Sequence, residues 1–337
     1  SALIGAALIA GAAQAEDPKV MVGGVIDFQA GIANDDLDGA QRAQGFRNDT
    51  EVSFSVHGKA DNGLGYGAQI DLEADVTGDA DNQGLNASNT YVFLDGSFGR
   101  FELGSTAGAD ETLSVEADNI ARGTGGISGD WWYFANTTGN AFITKAALVE
   151  EHGSTLVYGD ESFYNSNKIN YYSPRFSGFQ LGLSYAPNMD DRGQTVTRSD
   201  TTGTWGDVIE AALNYEGQWD QLGLAAGLNG QWGDANVAGA EDLAAWNIGA
   251  ALTYAGFNLA GSYGDWSDSL GTGTDSDYYT LGAAYDFGPF GASVTWLDSQ
   301  IDLGGGADND FDNLVVGADY SLAPGLTPYI EASFFDA

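Results

Sequence analysis

The stretch that decides the fold covers residues 51–76 and reads EVSFSVHGKADNGLGYGAQIDLEADV. In its first half, apolar Val52, Phe54 and Val56 alternate with polar residues, and the second half repeats that alternation from Ala68 to Val76. Between the halves stands DNGLG at 61–65, whose residue types tolerate a positive φ. Because side chains of a β-strand point alternately to opposite faces, the stretch predicts a β-hairpin with one apolar and one polar face.

The same period-two alternation returns along the rest of the chain and predicts an all-β fold. The apolar row of each strand could face lipid or the core of a soluble β-sandwich, and three features favour lipid. Many segments reach ten residues, the length that a tilted strand needs to cross a bilayer. Aromatic residues gather near strand ends, and the connections alternate between tight turns and long acidic loops, as in outer-membrane barrels.

Fifteen strand segments can be counted. Since bacterial single-chain barrels have an even number of strands, we expect a transmembrane antiparallel β-barrel of 16 strands, with 15 present in this chain and the last strand missing. The alternative is that one hairpin is miscounted. The predicted strands lie near 19–34, 47–60, 64–76, 87–97, 99–107, 167–176, 179–188, 207–219, 222–235, 245–255, 257–268, 277–288, 290–303, 312–323 and 326–337.

The first fifteen residues have a different character. SALIGAALIAGAAQA is a short apolar run that ends in the small-x-small pattern of a secretory cleavage site. We therefore expect residues 1–15 to be part of a signal peptide, cleaved after Ala15, and residues 16–337 to form an outer-membrane pore domain that is incomplete at its C-terminus.

One segment interrupts the alternation. Residues 108–166 follow the fifth predicted strand, hold no steady period, and carry nine acidic residues against only Arg122 and Lys145. A structureless connection of that length inside a compact domain is typical of a functional loop. We expect this segment to fold into the barrel and constrict it.

Composition excludes several classes of function. The 48 acidic and 11 basic residues give a net charge of −37, which argues against binding nucleic acid. The absence of cysteine excludes disulfides and thiolate chemistry. His57 and His152 are the only histidines and stand in no recognisable catalytic or metal-binding motif. We therefore expect no enzyme.

Two hairpins resemble those of Gram-negative general diffusion porins. They are the hairpin of residues 51–68 and the sequence YVFLDGSFGRFELG at 91–104, and the continuation AGADE at 107–111 is most similar to porins of photosynthetic alphaproteobacteria. The resemblance implies a homotrimer of sixteen-stranded barrels in the outer membrane, with an inward loop after the fifth strand. Relatives often carry basic residues near Ser88 and at Ser105, so their loss here weakens the basic half-ring that the family usually places opposite the loop.

The charges then predict the character of the pore. Fixed carboxylates in a water-filled channel concentrate cations and repel anions, so we expect passive, cation-preferring diffusion of ions and small hydrophilic solutes. Arg47, Lys59, Lys168 or Arg175 would add a transverse field only if it reached the constriction. The residues expected at the pore constriction are Asp110, Glu111, Glu116, Asp118 and Arg122, and those expected on the pore wall are Arg47, Asp49, Glu51, His57, Lys59, Asp71 and Glu73.

Two other functions stay open at this stage. A substrate-specific channel, for example for sugars, could use the aromatic residues 131–134 (WWYF) as a stacking platform, although these residues are better explained as an anchor for the loop. A calcium-binding surface β-protein could use the acidic segments 35–39, 78–82 and 304–310, which are rich in oxygen ligands but match no EF-hand loop. Structural calcium, and divalent bridges from loops to lipopolysaccharide, are possible on the same ground. We expect no other cofactor.

Overall fold

The computed structural model describes residues 16–34, 43–74, 86–134, 165–198, 205–269, 275–302 and 308–336. The expected signal peptide at 1–15 and Lys145 lie outside these ranges. Within the described ranges, no helix has the length and apolar character needed to cross a bilayer.

All fifteen predicted strands are present, so the all-β prediction is confirmed. The described part of the long loop after β5 contains one short helix, α1 (Ala109–Thr112), and three 3-10 turns (Asp118–Ile120, Gly126–Ser128 and Asp130–Phe134). The strands are β1 Glu16–Ile32, β2 Gln44–Lys59, β3 Gly65–Glu73, β4 Asn86–Gly96, β5 Gly99–Ser105, β6 Asn167–Tyr172, β7 Phe179–Asn188, β8 Trp205–Trp219, β9 Leu222–Ala235, β10 Leu243–Tyr254, β11 Phe257–Ser267, β12 Asp275–Phe287, β13 Phe290–Asp302, β14 Asp308–Tyr320 and β15 Tyr329–Asp336.

The strands form one antiparallel sheet in which every strand pairs with its neighbours in the sequence. The connections at one end of the strands are tight, such as Ala255-Gly256 between β10 and β11, and the connections at the other end are long. Among the described residues β1 and β15 do not pair with each other, but the Tyr329 hydroxyl of β15 donates to Asp27 Oδ2 of β1 at 2.6 Å. The sheet therefore curls until its two edge strands come within side-chain reach. The sixteenth strand stays a prediction.

The two faces of the sheet differ as the alternation predicts. In β12, outward-facing Tyr279 and Leu281 are 48% and 58% exposed, whereas the neighbouring Tyr278 and Thr280 are 3% and 0% exposed. Large apolar side chains thus lie on the outside, where a lipid phase would cover them. The buried side chains lie inside the barrel.

The main buried cluster lies between the inner wall and the long loop. Ala117 and Ile127 of the loop join inward-facing Leu297, Val315 and Phe311 in this cluster. Apolar burial of this kind provides the general driving force for holding a loop against a wall. The apolar core of this barrel is therefore formed jointly by the inner wall and the long loop.

Candidate functional site

The described part of the long loop, residues 106–134, follows the inner wall. Helix α1 packs against β6–β9, the turn 118–120 against β11 and β12, and the turn 126–128 against β13–β15. The last turn, 130–134, packs against β15 and β1. The loop therefore folds inward, as expected, and passes along most of the barrel circumference.

Wall side chains bind this loop mainly through its backbone. Asn214 Nδ2 donates to the Leu113 carbonyl oxygen at 3.0 Å, and the loop amides donate to wall oxygens in return. Because these hydrogen bonds are made to backbone groups, they fix the path of the loop and do not depend on which side chains the loop carries. The loop amides bonded in this way are those of Ala109 to Ser184 Oγ (2.7 Å), Ala117 to Thr280 Oγ1 (3.3 Å), Arg122 to Ser293 Oγ (2.8 Å), Thr124 to Glu331 Oε2 (3.1 Å) and Ile127 to Thr295 Oγ1 (3.1 Å).

Inward-facing glycines let the loop approach the sheet closely. A Cβ atom at Gly249 of β10 would lie 1.7 Å from the Val115 carbonyl oxygen, and one at Gly317 of β14 would lie 2.1 Å from the Arg122 carbonyl oxygen. Gly282 of β12 has its nearest such contact at 3.0 Å from the Ala117 carbonyl oxygen. Any side chain at the first two positions would push the loop off the wall.

A buried ion pair fastens the beginning of the loop. Lys168 of β6 and Glu210 of β8 are both fully buried, and Lys168 Nζ lies 3.2 Å from Glu210 Oε1. The other carboxylate oxygen accepts the Ala109 amide at 2.9 Å. Lys168 therefore does not reach the open pore, where we had considered it a source of a transverse field.

Arg122 attaches the loop to β12 and β14 of the wall. Its guanidinium contacts the Asp286 carboxylate of β12, and its Nη1 atom lies 3.6 Å from Asp319 Oδ2 of β14. Its backbone amide is already bound to Ser293. Arg122 thus pins the loop to two wall acids through its side chain and to the Ser293 hydroxyl through its backbone.

The four acids expected at the constriction divide into two pairs. Asp110 and Glu116 are each only 3% exposed, which differs from the lumen-facing position that we expected. Glu116 Oε1 accepts from Asn247 Nδ2 at 2.6 Å and from the Tyr278 hydroxyl at 3.2 Å, so this carboxylate serves to attach the loop. Glu111 and Asp118 are partly exposed, and their place at the constriction stays a prediction.

Arg47 of β2 is the basic wall residue that meets the loop. Its Nη1 atom lies 2.7 Å from Asp130 Oδ2 of the loop and its Nη2 atom 2.9 Å from Asp49 Oδ2 on its own strand. The guanidinium carbon is 3.6 Å from the centroid of the Tyr133 ring, within the range of a cation–π contact. Arg47 is therefore compensated by two carboxylates and covered by an aromatic ring.

Carboxylates face one another across the strands beside Arg47. Asp27 of β1 stands opposite Asp49 of β2, and Glu51 of β2 stands opposite Glu73 of β3. Like charges directly opposite in an antiparallel pair are unfavourable, so stability does not explain this arrangement. These four side chains are partly exposed on the inner face, while Asp71 on the same face is nearly buried and accepts a hydrogen bond from Gln69.

The remaining predicted wall residues lie nearer the tight turns. His57 and Lys59 are exposed near the end of β2, and the His57 ring lies 4.9 Å from that of Phe93. Arg175, which we considered as a further source of a transverse field, lies in the β6–β7 turn, where its guanidinium is 3.0 Å from Glu216 and donates to Asn214 Oδ1 at 2.8 Å.

The aromatic residues 131–134 divide between anchoring and exposure. The Trp131 ring lies 5.2 Å from that of Phe335 and 6.2 Å from that of Phe311, so this side chain packs the loop against β14 and β15. Trp132 and Tyr133 stack on each other at 3.8 Å, and Tyr133 is 46% exposed.

The calcium prediction falls on segments of which the structure describes little. Residues 35–39 and 78–82 lie outside the described ranges, and so does part of 304–310. Among the described residues, no group of three or more His, Asp or Glu side chains is arranged to hold a metal ion. Structural calcium stays a prediction.

Three site residues escaped the sequence reasoning. Glu210 and Glu331 bind the loop backbone from the wall, and Asp130 pairs with Arg47. The two glutamates could have been found, because each occupies an inward position of an alternating strand. For Asp130 no comparable signal exists, since the loop has no period.

A barrel of long antiparallel strands with an apolar outside and an inward loop defines a β-barrel membrane channel. The chain matches the Gram-negative porin family over residues 1–337 and therefore belongs to that family. An uncharacterized protein of Rickettsia conorii is 25% identical over 348 residues, which cover 86% of this chain and 78% of that protein.

Solved structures show the same fold. The trimer form of OmpT, an outer membrane protein of Vibrio cholerae, has a TM-score of 0.64 at 14% identity, with 95% of this chain and 89% of that chain covered. An anion-selective porin from Comamonas acidovorans has a TM-score of 0.62 at 20% identity and the same coverage.

These findings confirm the porin resemblance, the fold class and the location in the outer membrane of a Gram-negative bacterium. The protein is a diffusion channel and not an enzyme, because its family consists of channel proteins.

Proposed function

We propose that this porin is a cation-preferring channel for small hydrophilic solutes and ions. The observation that carries the proposal is the inner wall of β1–β3, where Asp27 faces Asp49 and Glu51 faces Glu73. Partly exposed carboxylates on adjoining strands create a negative potential that attracts cations and repels anions in a narrow aqueous channel.

The arginines of the pore do not cancel this potential. Each of four arginines in the wall, the loop or the adjoining turn has a carboxylate of its own: Arg47 with Asp49 and Asp130, Arg100 with Glu102, Arg122 with Asp286 and Asp319, and Arg175 with Glu216. A compensated arginine offers little attraction to a passing anion. The surplus acids on β1–β3 then determine the sign of the field.

The anion-selective Comamonas porin does not oppose this assignment. At 20% identity the two proteins share a fold, and the selectivity of a channel depends on the charged side chains along its pore. The trimer form of the Vibrio protein supports a homotrimer for this chain. We propose that the outward apolar face contacts the lipids and lipopolysaccharide of the outer membrane.

Reversal potentials in planar bilayers test the proposal. The full-length protein in a KCl gradient should show a permeability ratio PK/PCl above one. Substituting Asp49→Asn, Glu51→Gln and Glu73→Gln together should lower that ratio severalfold, because three charges leave the wall.

A matched control removes three carboxylates from the outward face. Asp277, Asp298 and Asp312 lie on the outward rows of β12–β14, in cross-strand register with outward-facing Asp265, Tyr279 and Asp298. Their simultaneous replacement by Asn should leave PK/PCl unchanged. An anion-preferring wild type, or equal effects of both triple variants, would contradict the proposal.

A substrate-specific channel is the second candidate. It is favoured by the exposed Tyr133 ring, stacked on Trp132 beside Arg47 and Asp130. Aromatic rings next to paired charged groups can bind a sugar by stacking and hydrogen bonding. Saturable block of KCl current by one sugar, lost in Tyr133→Ala, would establish this function.

A further inference from the structure

We infer that Glu331 and Thr124 are positioning residues that hold Asp130 against Arg47 and thereby set the charge at the constriction. The inference rests on the proposed function and identifies the residues that position the charges of that same site. The hydrogen bonds of Arg47 go to Gln29, Asp130 and Asp49. Glu331 and Thr124 therefore act on Arg47 through Asp130.

The first step is the contact between β15 and the loop. Glu331 lies on the inner face of β15, opposite Gly317 of β14. Its Oε2 atom accepts the Thr124 amide at 3.1 Å, and its Oε1 atom accepts the Thr124 hydroxyl at 2.8 Å. Two hydrogen bonds to one carboxylate fix both the position and the rotamer of Thr124.

Glycines make room for this contact on either side. Gly123 has a φ of +88°, and a Cβ there would lie 2.6 Å from Glu331 Oε2. A Cβ at Gly129 would lie 2.4 Å from Thr124 Oγ1 and 3.1 Å from Glu331 Oε1. The local sequence is therefore fitted to a carboxylate and a hydroxyl at this point.

The second step connects Thr124 to the charge pair. While the Thr124 hydroxyl donates to Glu331, the same oxygen accepts the Asp130 amide at 2.8 Å. The Asp130 carboxylate then accepts from Arg47 Nη1 at 2.7 Å and also from Gln29 Nε2. A continuous chain of hydrogen bonds thus leads from β15 through the loop to β1 and β2.

The two members of the charge pair are held differently. Arg47 belongs to a strand and keeps Asp49 as a second carboxylate, whereas Asp130 belongs to a loop and depends on local contacts for its position. Breaking the Thr124 link should move the negative charge out of the constriction while the positive charge stays. Anions would then meet a less repulsive barrier.

The test uses Thr124→Val, which removes the hydroxyl without changing net charge or size. We expect PK/PCl from KCl-gradient reversal potentials to fall by about twofold, since the lost pair is partly exposed and individually weak. The matched control is Thr253→Val, which removes an exposed hydrogen bond between two wall strands, that from the Thr253 hydroxyl to Asn258 Oδ1 at 2.8 Å, and should leave PK/PCl unchanged. Thr124→Ser should keep the wild-type ratio.

A double-mutant cycle separates this mechanism from a general loosening of the loop. If Thr124 acts through Asp130, Thr124→Val should add nothing to Asp130→Asn, because the affected charge is already absent. Additive effects, or an unchanged ratio in Thr124→Val, would overturn the inference. If the valine variant does not assemble, Thr124→Ala provides the same comparison.

The outcome is independent of the sign of the wild-type preference. A wild type that prefers anions would refute the proposed function, but the shift caused by Thr124→Val and its absence in Asp130→Asn would still support the link. A cation-preferring wild type with no Thr124→Val shift would refute the link alone.

Discussion

Lys168 and Glu210 show what a single pair of charges can do inside this barrel. Both side chains are fully buried, and the second oxygen of Glu210 binds the amide of Ala109 at the start of the loop. Burying two charges is costly, and a paired arrangement offsets most of that cost. Removing one partner destabilises a protein far more than removing both, because the remaining side chain is left as a buried charge without a counterion or water.

We therefore predict that Lys168→Met destabilises the protein by about 3–5 kcal/mol, because Glu210 would remain as an uncompensated buried carboxylate. The double variant Lys168→Met/Glu210→Gln should recover much of that loss. Urea unfolding in detergent, followed by tryptophan fluorescence, measures both changes.

Lys19→Met is the control, because Lys19 pairs with Glu16 on the surface, where such pairs contribute little. Equal losses in the Lys168 and Lys19 variants would show that burial does not govern the strength of the Lys168–Glu210 pair.

At the residue level, the sequence predicted strand positions well and loop positions poorly. Asp49, Glu51 and Glu73 lie on the inner face, as their alternation indicated. Asp110 and Glu116 were chosen for their place in the chain alone, and both are buried against the wall. An irregular backbone has no period from which the direction of a side chain can be inferred.

Elements follow the same division. The predicted strands 179–188 and 222–235 agree with β7 and β9, and the others differ by a few residues at one or both ends. The long loop was placed correctly after β5, but its path depends on contacts between residues more than a hundred positions apart, such as Asn214 with Leu113. Such contacts leave no local pattern in one sequence.

The glycines beneath the loop are the clearest case of an element shaped by its neighbour. Gly249 lies in the middle of β10, where a glycine costs stability in isolation. Here it is required because the Val115 carbonyl oxygen occupies the space of a side chain.

We predict that Gly249→Ala destabilises the protein by about 1–3 kcal/mol, the usual cost of forcing an extra methyl into a packed site. The displaced loop should also change the single-channel conductance. Gly23→Ala is the control, because Gly23 shares the inner row of β1 and a Cβ there would have no neighbour within 4 Å. A Gly249→Ala variant with wild-type stability and conductance would show that the loop does not rest on β10.

At the scale of the whole molecule, the charges of the loop and those of the wall have to be considered together, because they pair with one another. The chain carries a net charge of −37, yet the described ion pairs place each pore arginine beside an acid. Under the proposed function, the charge that solutes meet is the surplus of acids along the wall, chiefly on β1–β3. A surplus spread over several strands acts over distances of many ångströms, so its effect must depend on salt.

This dependence gives a prediction for the intact channel. Mobile ions screen fixed charges over about 10 Å at 0.1 M salt and about 3 Å at 1 M salt. We expect PK/PCl to be highest in dilute KCl. It should fall toward the ratio of the mobilities of free K⁺ and Cl⁻ as the mean concentration rises from about 0.1 M to about 1 M. A fixed narrow filter that strips ions of water would instead keep its selectivity at every concentration.

The variant with Asp49→Asn, Glu51→Gln and Glu73→Gln is the matched control for this measurement. It should show a lower and flatter dependence on KCl concentration, since the screened charges have been removed. If the wild-type ratio does not change with salt while the triple variant lowers it, selectivity arises from direct contact between ions and these three carboxylates. In that case the long-range field of the wall would not explain the preference.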